Sequence, residues 1–317
     1  MNPQIRRLFF VLVALFVALV AISSYWLWDA PNLEAKRGNP NLLVQQLTIK
    51  RGFIYASNGT TVLAKNRRVK KKGFGRPWYL RVYPRRELTA NAVGYSTIER
   101  SRTGIEKSFN DYLTGSNANL DTLLNNTLDK LRGLTQEGNN VITTLSVRGQ
   151  AAAMRGLAGK CGAAVAIEPS TGRVLVLASQ PSYNPNLVEG HFKAIAREAA
   201  GAPCRPPAPL LDRATQGLFI PGSTFKVVTA AAALDTGRYT PSSRFDDPGY
   251  CIEYGQRVSN FADQSGPEVF GNVDFVEALQ HSINAVFCNI GKALGANTIL
   301  DYAERFGLYE EPPIQLP

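Results

Sequence analysis

The 317 residues include 35 Lys and Arg against 25 Asp and Glu, for a formal net charge of +10, with 44% hydrophobic and 19% charged residues. That hydrophobic share supports a sizeable core and excludes wholesale disorder. At roughly 150 residues per domain, the length predicts two domains plus small extras. Four cysteines are too few for a disulfide scaffold and show no zinc spacing, and two histidines, His191 and His281, leave little room for a His-rich metal site or a His-centred triad.

Leu8 to Trp28 is 21 residues without a charge, the length of a helix that spans the hydrocarbon core. Arg6 and Arg7 precede it and Asp29 follows, so the positive-inside rule keeps residues 1–7 in the cytoplasm. Tyr25, Trp26 and Trp28 lie where an outer aromatic belt belongs. A cleaved signal peptide is the competing reading. It requires an apolar core of roughly 7–15 residues and a small-residue cleavage site. The run here is longer and Ala21-Ile22-Ser23 fits such a site poorly, so an uncleaved anchor over residues 8–28 is predicted. On either reading, the chain after Asp29 works outside the cytoplasm.

Residues 29–50 read as a polar linker, with Gly38-Asn39-Pro40 at its centre. Asn58-Gly59 between apolar runs predicts a hairpin, and Tyr79 to Tyr83 reads as another strand. No acidic residue occurs from Arg51 to Arg86, and nine Lys or Arg fall between Arg67 and Arg86. Outside the membrane a nucleic-acid partner is not expected. Contact with an anionic envelope polymer, lipid headgroups or a partner protein competes with the simpler reading, a solvated basic hairpin. Ser108 to Leu113 and Leu120 to Leu131 read as helices, and the loop Gly133 to Asn140 as a domain boundary. A first domain over 51–138 and a second over 139–317 follow.

The second domain opens with strand Val141 to Leu145 and helix Val147 to Leu157. Gly162 to Ile167 and Arg173 to Ala178 read as two buried antiparallel strands joined by Pro169-Ser170-Thr171-Gly172. After a loop-rich stretch, Pro221-Gly222 introduces an apolar helix, Ser223 to Leu234, closed by Gly237. Asp274 to His281 and Ala285 to Leu294 are two further helices. The last segment, with Pro312-Pro313, shows no element, and no internal repeat is present.

Ser223-Thr224-Phe225-Lys226 is S-x-x-K at a helix start. A spacing of three puts both side chains on one face. A lysine whose pKa is lowered by desolvation or nearby positive charge can take the serine's proton, and the unpaired N–H groups of a first helical turn can stabilise an oxyanion. Ser282-Ile283-Asn284 offers a hydroxyl to relay a proton and an amide to hold a peptide carbonyl. Each motif alone also has a plain reading: Ser223 as an N-cap beside a snorkelling Lys226, and Asn284 as the cap of the following helix.

Together the two motifs match the serine acyltransferase signature of penicillin-binding proteins and β-lactamases. Arg51-Gly52, the Asn58-Gly59 hairpin and Leu63-Ala64 resemble the first non-catalytic motif of class B penicillin-binding proteins. Arg102-Thr103-Gly104-Ile105-Glu106, running on to Tyr112-Leu113-Thr114-Gly115, resembles their second. Gly162-Ala163-Ala164-Val165, Pro169-x-Thr171-Gly172 and Ala178-Ser179-x-Pro181-Ser182-Tyr183-Asn184-Pro185-Asn186 resemble the opening of their transpeptidase domain. The resemblance runs from about Arg51 to Phe306 and is closest to the single-span elongation or division type, actinobacterial forms included.

The resemblance implies an α+β fold: a transmembrane helix, a small β-rich pedestal, and the front part of a transpeptidase domain with helices packed on an antiparallel sheet. It implies that Ser223 attacks the carbonyl between two D-alanines, Lys226 takes the proton, Ser282 passes one to the leaving group, and Asn284 orients the acyl peptide. β-Lactams would acylate Ser223. No metal or organic cofactor is implied. The partners implied are peptidoglycan stem peptides and a SEDS-family membrane glycosyltransferase engaged by the pedestal.

One departure stands out. No Lys-Thr/Ser-Gly follows Lys226 in place; the only Thr-Gly after it, Thr236-Gly237, ends the catalytic helix. In the family that motif brings the second oxyanion donor and further strands. The expectation is a chain truncated before the third motif, inactive and poorly folded by itself, with an exposed sheet edge. A non-enzymatic scaffold of the wall-building complex is the alternative function. A β-lactamase is less favoured, because no clear Glu-x-x-Leu-Asn deacylation motif is present. Outside the cytoplasm disulfides are permitted. Cys204 and Cys251, both in loop-like stretches, are candidates to pair, whereas Cys288 on an apolar helix reads as a buried thiol.

Overall fold

A computed structural model describes residues 3–35, 47–70, 77–97, 101–116, 135, 137–198, 201–263 and 265–316. Helix α1 (Pro3–Ala35) contains the apolar run, whose side chains are exposed from Leu8 to Trp26. Arg6–Trp26 is long and apolar enough to cross a membrane. The helix continues through Asp29 to Ala35, so the first residues assigned to the linker are helical. Once upstream turns have nucleated a helix, extension is favourable, and Leu33, Glu34 and Ala35 are good helix formers. The helix expected over Leu120–Leu131 lies outside the described residues.

The chain divides into two compact units, residues 1–217 with 315–317 and residues 218–314. In the first, strands β1 (Ile54–Tyr55), β2 (Val62–Val69) and β3 (Trp78–Val82) form a sheet with β4 (Val141–Ile142) in the order β3-β2-β1-β4. Asn58-Gly59 makes the expected turn between β1 and β2. Gly59 sits at φ +67°, and Asn58 Oδ1 accepts from the Thr60 and Thr61 amides at 3.2 and 2.9 Å. β4 pairs in parallel with β1, Ile54 opposite Val141. The strand expected to open the second domain is therefore part of the pedestal sheet.

Short helices α2 (Ala90–Val93), α3 (Gly104–Ser108) and α4 (Asn110–Thr114) share a hydrophobic core with that sheet. Ile54, Leu63 and Leu113 are fully buried in the shared core, each contributing roughly 1.5–3 kcal/mol of transfer free energy. Gly52 donates its N–H to the Leu113 carbonyl at 2.9 Å, and a Cβ there would collide with the Asn139 carbonyl. Any side chain at Gly52 would force the pedestal's two chain crossings apart.

Helix α5 (Val147–Gly156) lies on the hairpin β5 (Gly162–Ile167) and β6 (Val174–Gln180), which pairs Ala164 with Ala178. Buried Gln150 bridges helix and strand: its Nε2 donates to Leu177 O at 2.6 Å and its Oε1 accepts from Leu177 N at 3.0 Å. The two strands are not equally buried, contrary to expectation. β6 is covered from Val176 to Ser179, whereas Val165 and Ile167 on β5 are exposed. Among the described residues, β5 has only β6 as a sheet neighbour, so its other edge has no strand paired to it. Helix α6 (Phe192–Glu198) adds Ile195 to the same core.

The second unit starts with a 3₁₀ turn, Gly222–Phe225, that runs into α7 (Lys226–Asp235). Residues 238–273, to which the sequence assigned no element, hold β7 (Arg244–Asp247), β8 (Tyr250–Glu253), β9 (Gln256–Ser259), β10 (Ala262–Asp263), β11 (Gly266–Pro267) and β12 (Gly271–Asp274). They pair as short antiparallel ribbons, β7 with β12 and β8 with β9. Most are too short and polar to show alternation, which is why periodicity missed them. Helix α8 (Phe275–Gln280) carries a full capping box between Asp274 and Glu277. It leads through Ser282 to α9 (Asn284–Leu294) and then α10 (Ala296–Arg305), the latter unforeseen. Small buried residues on α7, Ala230, Ala232 and Ala233, let α9 and α10 approach closely around Val286, Ile290 and Tyr302.

The cysteines pair as Cys161–Cys204 and Cys251–Cys288. The considered Cys204–Cys251 bond is not formed, and Cys288 is not a free thiol. Cys204 belongs to the first unit and Cys251 to the second, and each finds a partner within its own. Cys251 on β8 is buried against α9, which brings its Cα within 6.4 Å of the Cα of Cys288.

Candidate active site

Pro221-Gly222 sets the approach to the first motif. Gly222 adopts φ +56°, a left-handed conformation that glycine takes without a Cβ penalty, and Thr224 Oγ1 returns a hydrogen bond to Pro221 O at 2.6 Å. The 3₁₀ turn that follows has three residues per turn, so positions i and i+3 eclipse. Ser223 and Lys226 therefore stack, with Lys226 Nζ 3.4 Å from Ser223 Oγ. Ser223 is exposed and Lys226 half-buried.

The second motif meets the same amine. Ser282 is a non-glycine residue at φ +56°, a conformation held only where its surroundings impose it. The resulting turn presents both its carbonyl, 2.5 Å from Lys226 Nζ, and its Oγ, 3.0 Å away. Asn284 is the first residue of α9 and does not cap it, contrary to its plain reading; its Oδ1 lies 2.5 Å from Lys226 Nζ and its Nδ2 donates to Ser259 O at 2.9 Å. Phe287, one turn along α9, places its ring 5.8 Å from the amine. All four residues singled out in the sequence thus converge on one nitrogen.

This geometry assigns the amine's hydrogens. A neutral lysine has two N–H groups and one lone pair. The Ser282 carbonyl and Asn284 Oδ1 can only accept, so they take two N–H groups; the Ser282 and Ser223 hydroxyls accept from the charged amine, and in the neutral form either one can donate to its single lone pair. Desolvation holds the Lys226 pKa below the ordinary lysine value, which favours that neutral form. The arrangement can move a proton between two serine hydroxyls through one amine.

The supporting residues were not legible in the sequence. Asn260 Oδ1 accepts from the Ala285 amide at 3.0 Å and so caps α9 from outside the helix. Asp247 in turn binds Asn260 Nδ2. Asp247 ends β7 and Asn260 follows β9, strands too short and polar to show in the sequence, and neither residue belongs to a motif.

The pedestal holds a second polar cluster. Glu106, fully buried, accepts from Arg51 Nη2 at 2.8 Å and Arg81 Nε at 2.5 Å. Asn110 and Asn66 bind the same two guanidiniums. Burial alone would raise the Glu106 pKa, but Arg81 and Arg51 outweigh it and hold the carboxyl below its ordinary value. The basic stretch is thus not wholly a solvated hairpin. Arg67 and Arg68 are exposed on β2, whereas Arg81 on β3 is buried and paired.

The fold and the S-x-x-K arrangement are of the penicillin-binding type. A family model of the penicillin binding protein transpeptidase domain matches residues 162–317, and one of the penicillin binding protein A dimerisation domain matches residues 51–141. The chain is similar to the peptidoglycan D,D-transpeptidase PbpA of Mycolicibacterium smegmatis, at 34% identity over 99% of this chain and 64% of that protein. It is also similar to the peptidoglycan D,D-transpeptidase MrdA of Escherichia coli, at 30% identity over 67% of this chain and 34% of that protein. Among solved structures, the ceftriaxone acyl-enzyme of penicillin-binding protein A from Mycobacterium tuberculosis superposes with a TM-score of 0.72 and 34% identity, covering 87% of this chain and 62% of that one. The chain belongs to the class B penicillin-binding proteins. It spans about 64% of the length of the PbpA relatives.

Proposed function

We propose that this chain carries the nucleophile and base of a peptidoglycan D,D-transpeptidase, anchored by α1 with residues 1–7 in the cytoplasm and the rest outside. The observation that carries the reading is the convergence of Ser223, Ser282 and Asn284 on the Lys226 amine. Lys226 takes the Ser223 proton as Ser223 Oγ bonds to the carbonyl carbon between the two terminal D-alanines of a stem peptide. The carbon–nitrogen bond to the last D-alanine breaks, and its amine receives a proton through Ser282. The Ser223 amide supplies one oxyanion donor, and Asn284 orients the acyl peptide. The amine of a second stem peptide then attacks the ester, forms the cross-link and returns a proton to Ser223. A β-lactam follows the first half and stalls as an acyl-enzyme.

Residues 51–138 serve as a pedestal, its sheet completed by β4 from the start of the next segment, and 139–317 as transpeptidase domain, with a SEDS-family glycosyltransferase as the pedestal's partner in elongation or division. The test is labelling of membranes from producing cells with a fluorescent penicillin, followed by mass analysis of the labelled peptide. The expected result is one adduct on Ser223. Absence of label, with the protein present and folded, would favour a non-enzymatic scaffold instead.

A further inference from the structure

We infer that Asp247 and Asn260 are positioning residues that hold the Ser282–Asn284 turn against Lys226; this rests on the reading of Ser223 and Lys226 as nucleophile and base. Both are buried, at 2% and 5% exposure. Asp247 sits at the end of β7 and Asn260 directly after β9. The Asp247 carboxylate accepts from Asn260 Nδ2 at 3.0 and 2.8 Å, from the Gly249 amide at 2.9 Å and from the Phe270 amide at 2.9 Å. Its lone pairs are filled by neutral donors, so it spends its charge on geometry.

That geometry fixes which way Asn260 points. A carboxylate only accepts, so the Asn260 amide must turn its NH₂ toward Asp247 and its oxygen away. The second Nδ2 hydrogen goes to Glu268 O at 3.0 Å. Asn260 Oδ1 is thereby aimed at the Ala285 N–H, the second residue of α9. The neighbouring Ser259 carbonyl makes the same kind of choice for Asn284. By accepting from Nδ2 it turns Asn284 Oδ1 toward Lys226. Two consecutive residues thus grip two consecutive residues of the helix start, and the left-handed Ser282 lies two residues before the first of them. A buried charge on the far side of Asn260 makes this grip one-directional: the amide cannot flip without placing oxygen against carboxylate.

The test compares Asn260→Ala, Asn260→Asp and Asp247→Asn with the unmodified protein in membranes, using the rate constant for β-lactam acylation of Ser223 as a function of pH. Asn260→Ala is expected to slow acylation about 10- to 100-fold, the scale of a misplacement near 1 Å, and to move the rising limb toward higher pH as Lys226 becomes better solvated. Asn260→Asp sets a second carboxyl beside Asp247, and the pair can make the contact only when sharing a proton. Its rate relative to the unmodified protein is expected to recover as pH falls.

Two further measurements do not depend on acylation: hydrogen exchange of the segment around Ala285, and the pH dependence of Lys226 reactivity toward an amine reagent. In Asn260→Ala the segment should exchange faster and Lys226 should titrate closer to a free lysine. If unmodified protein takes no label at Ser223, the functional reading fails, and these two measurements alone decide the positioning role. If Asn260→Ala leaves both unchanged, or acylates at the normal rate with the normal pH profile, the inference is overturned.

Discussion

Each compact unit gathers cationic nitrogen around oxygen, but the two clusters are built for opposite ends. In the pedestal, Arg51 and Arg81 close on the buried carboxylate of Glu106. A guanidinium does not release its proton, two of them share one carboxylate, and the result is a fixed joint between β3, α3 and the chain entering β1. In the second unit, Lys226 meets four oxygens, and all are neutral: the Ser223 and Ser282 hydroxyls, the Ser282 carbonyl and Asn284 Oδ1. None supplies a countercharge, and partial burial favours the neutral amine. A cation paired with a carboxylate is structural; a lysine ringed by neutral oxygens is poised to exchange a proton.

Substitutions can break this contrast. The largest effect is expected at the reactive cluster. Ser223→Ala should abolish covalent penicillin labelling, and Lys226→Arg, which stays protonated and cannot act as base, should slow acylation by about 10²–10⁴-fold. Both should unfold at nearly the unmodified temperature. The pedestal should answer in the opposite way. Glu106→Ala leaves two buried guanidiniums without their carboxylate, a loss of about 3–5 kcal/mol seen as a lower denaturation midpoint, with the acylation rate per folded molecule unchanged. A large fall in that rate would show that the pedestal cluster is not merely structural.

Replacing Cys251 and Cys288 by serine removes a cross-link closing 37 residues, worth about 3–4 kcal/mol on the chain-entropy account. Thermal unfolding of the second unit should report it. Arg68→Ala, at an exposed position of β2, should change stability by less than about 0.5 kcal/mol.

pH sharpens the same contrast. The Glu106 carboxyl is held below its ordinary 4.5. Its contribution to stability is therefore complete above that value and is lost as pH falls through the lower folded one. The Lys226 amine is held below its ordinary 10.5. A base must be neutral, so acylation should rise with pH through the lowered pKa and level off before the range of free lysine. Acid unfolding followed by circular dichroism and a pH–rate profile of β-lactam acylation check the two limbs. A rate that rises only near the pKa of free lysine would contradict the proposed poise of Lys226.

Much of this was legible in the linear sequence because the signals are local. The apolar run to Trp28, the Asn58-Gly59 turn, the helices after Pro221-Gly222 and Asp274, and the Ser223 to Lys226 spacing each depend on residues within a few turns of one another. The resemblance then joined Ser282 and Asn284 to them. The misreadings share a different cause. The exposed face of β5, the parallel pairing of β4 with β1, the burial of Arg81 and the choice of cysteine partners depend on what lies across from a residue, which its neighbours in sequence do not specify.

The sequence by itself determined the candidate chemistry: a nucleophile and a base one turn apart, an S-x-N on a later helix start, and a helix fit to cross a membrane. The tertiary structure decided how that chemistry is aimed. Residues far apart in the chain, Asp247, Ser259 and Asn260, orient Asn284 and α9, and the left-handed turn at Ser282 brings two oxygens to Lys226. The physical reason is that hydrogen-bond direction and burial are properties of packed neighbours. A motif can name a lysine, but only its surroundings can limit its water and direct its hydrogens.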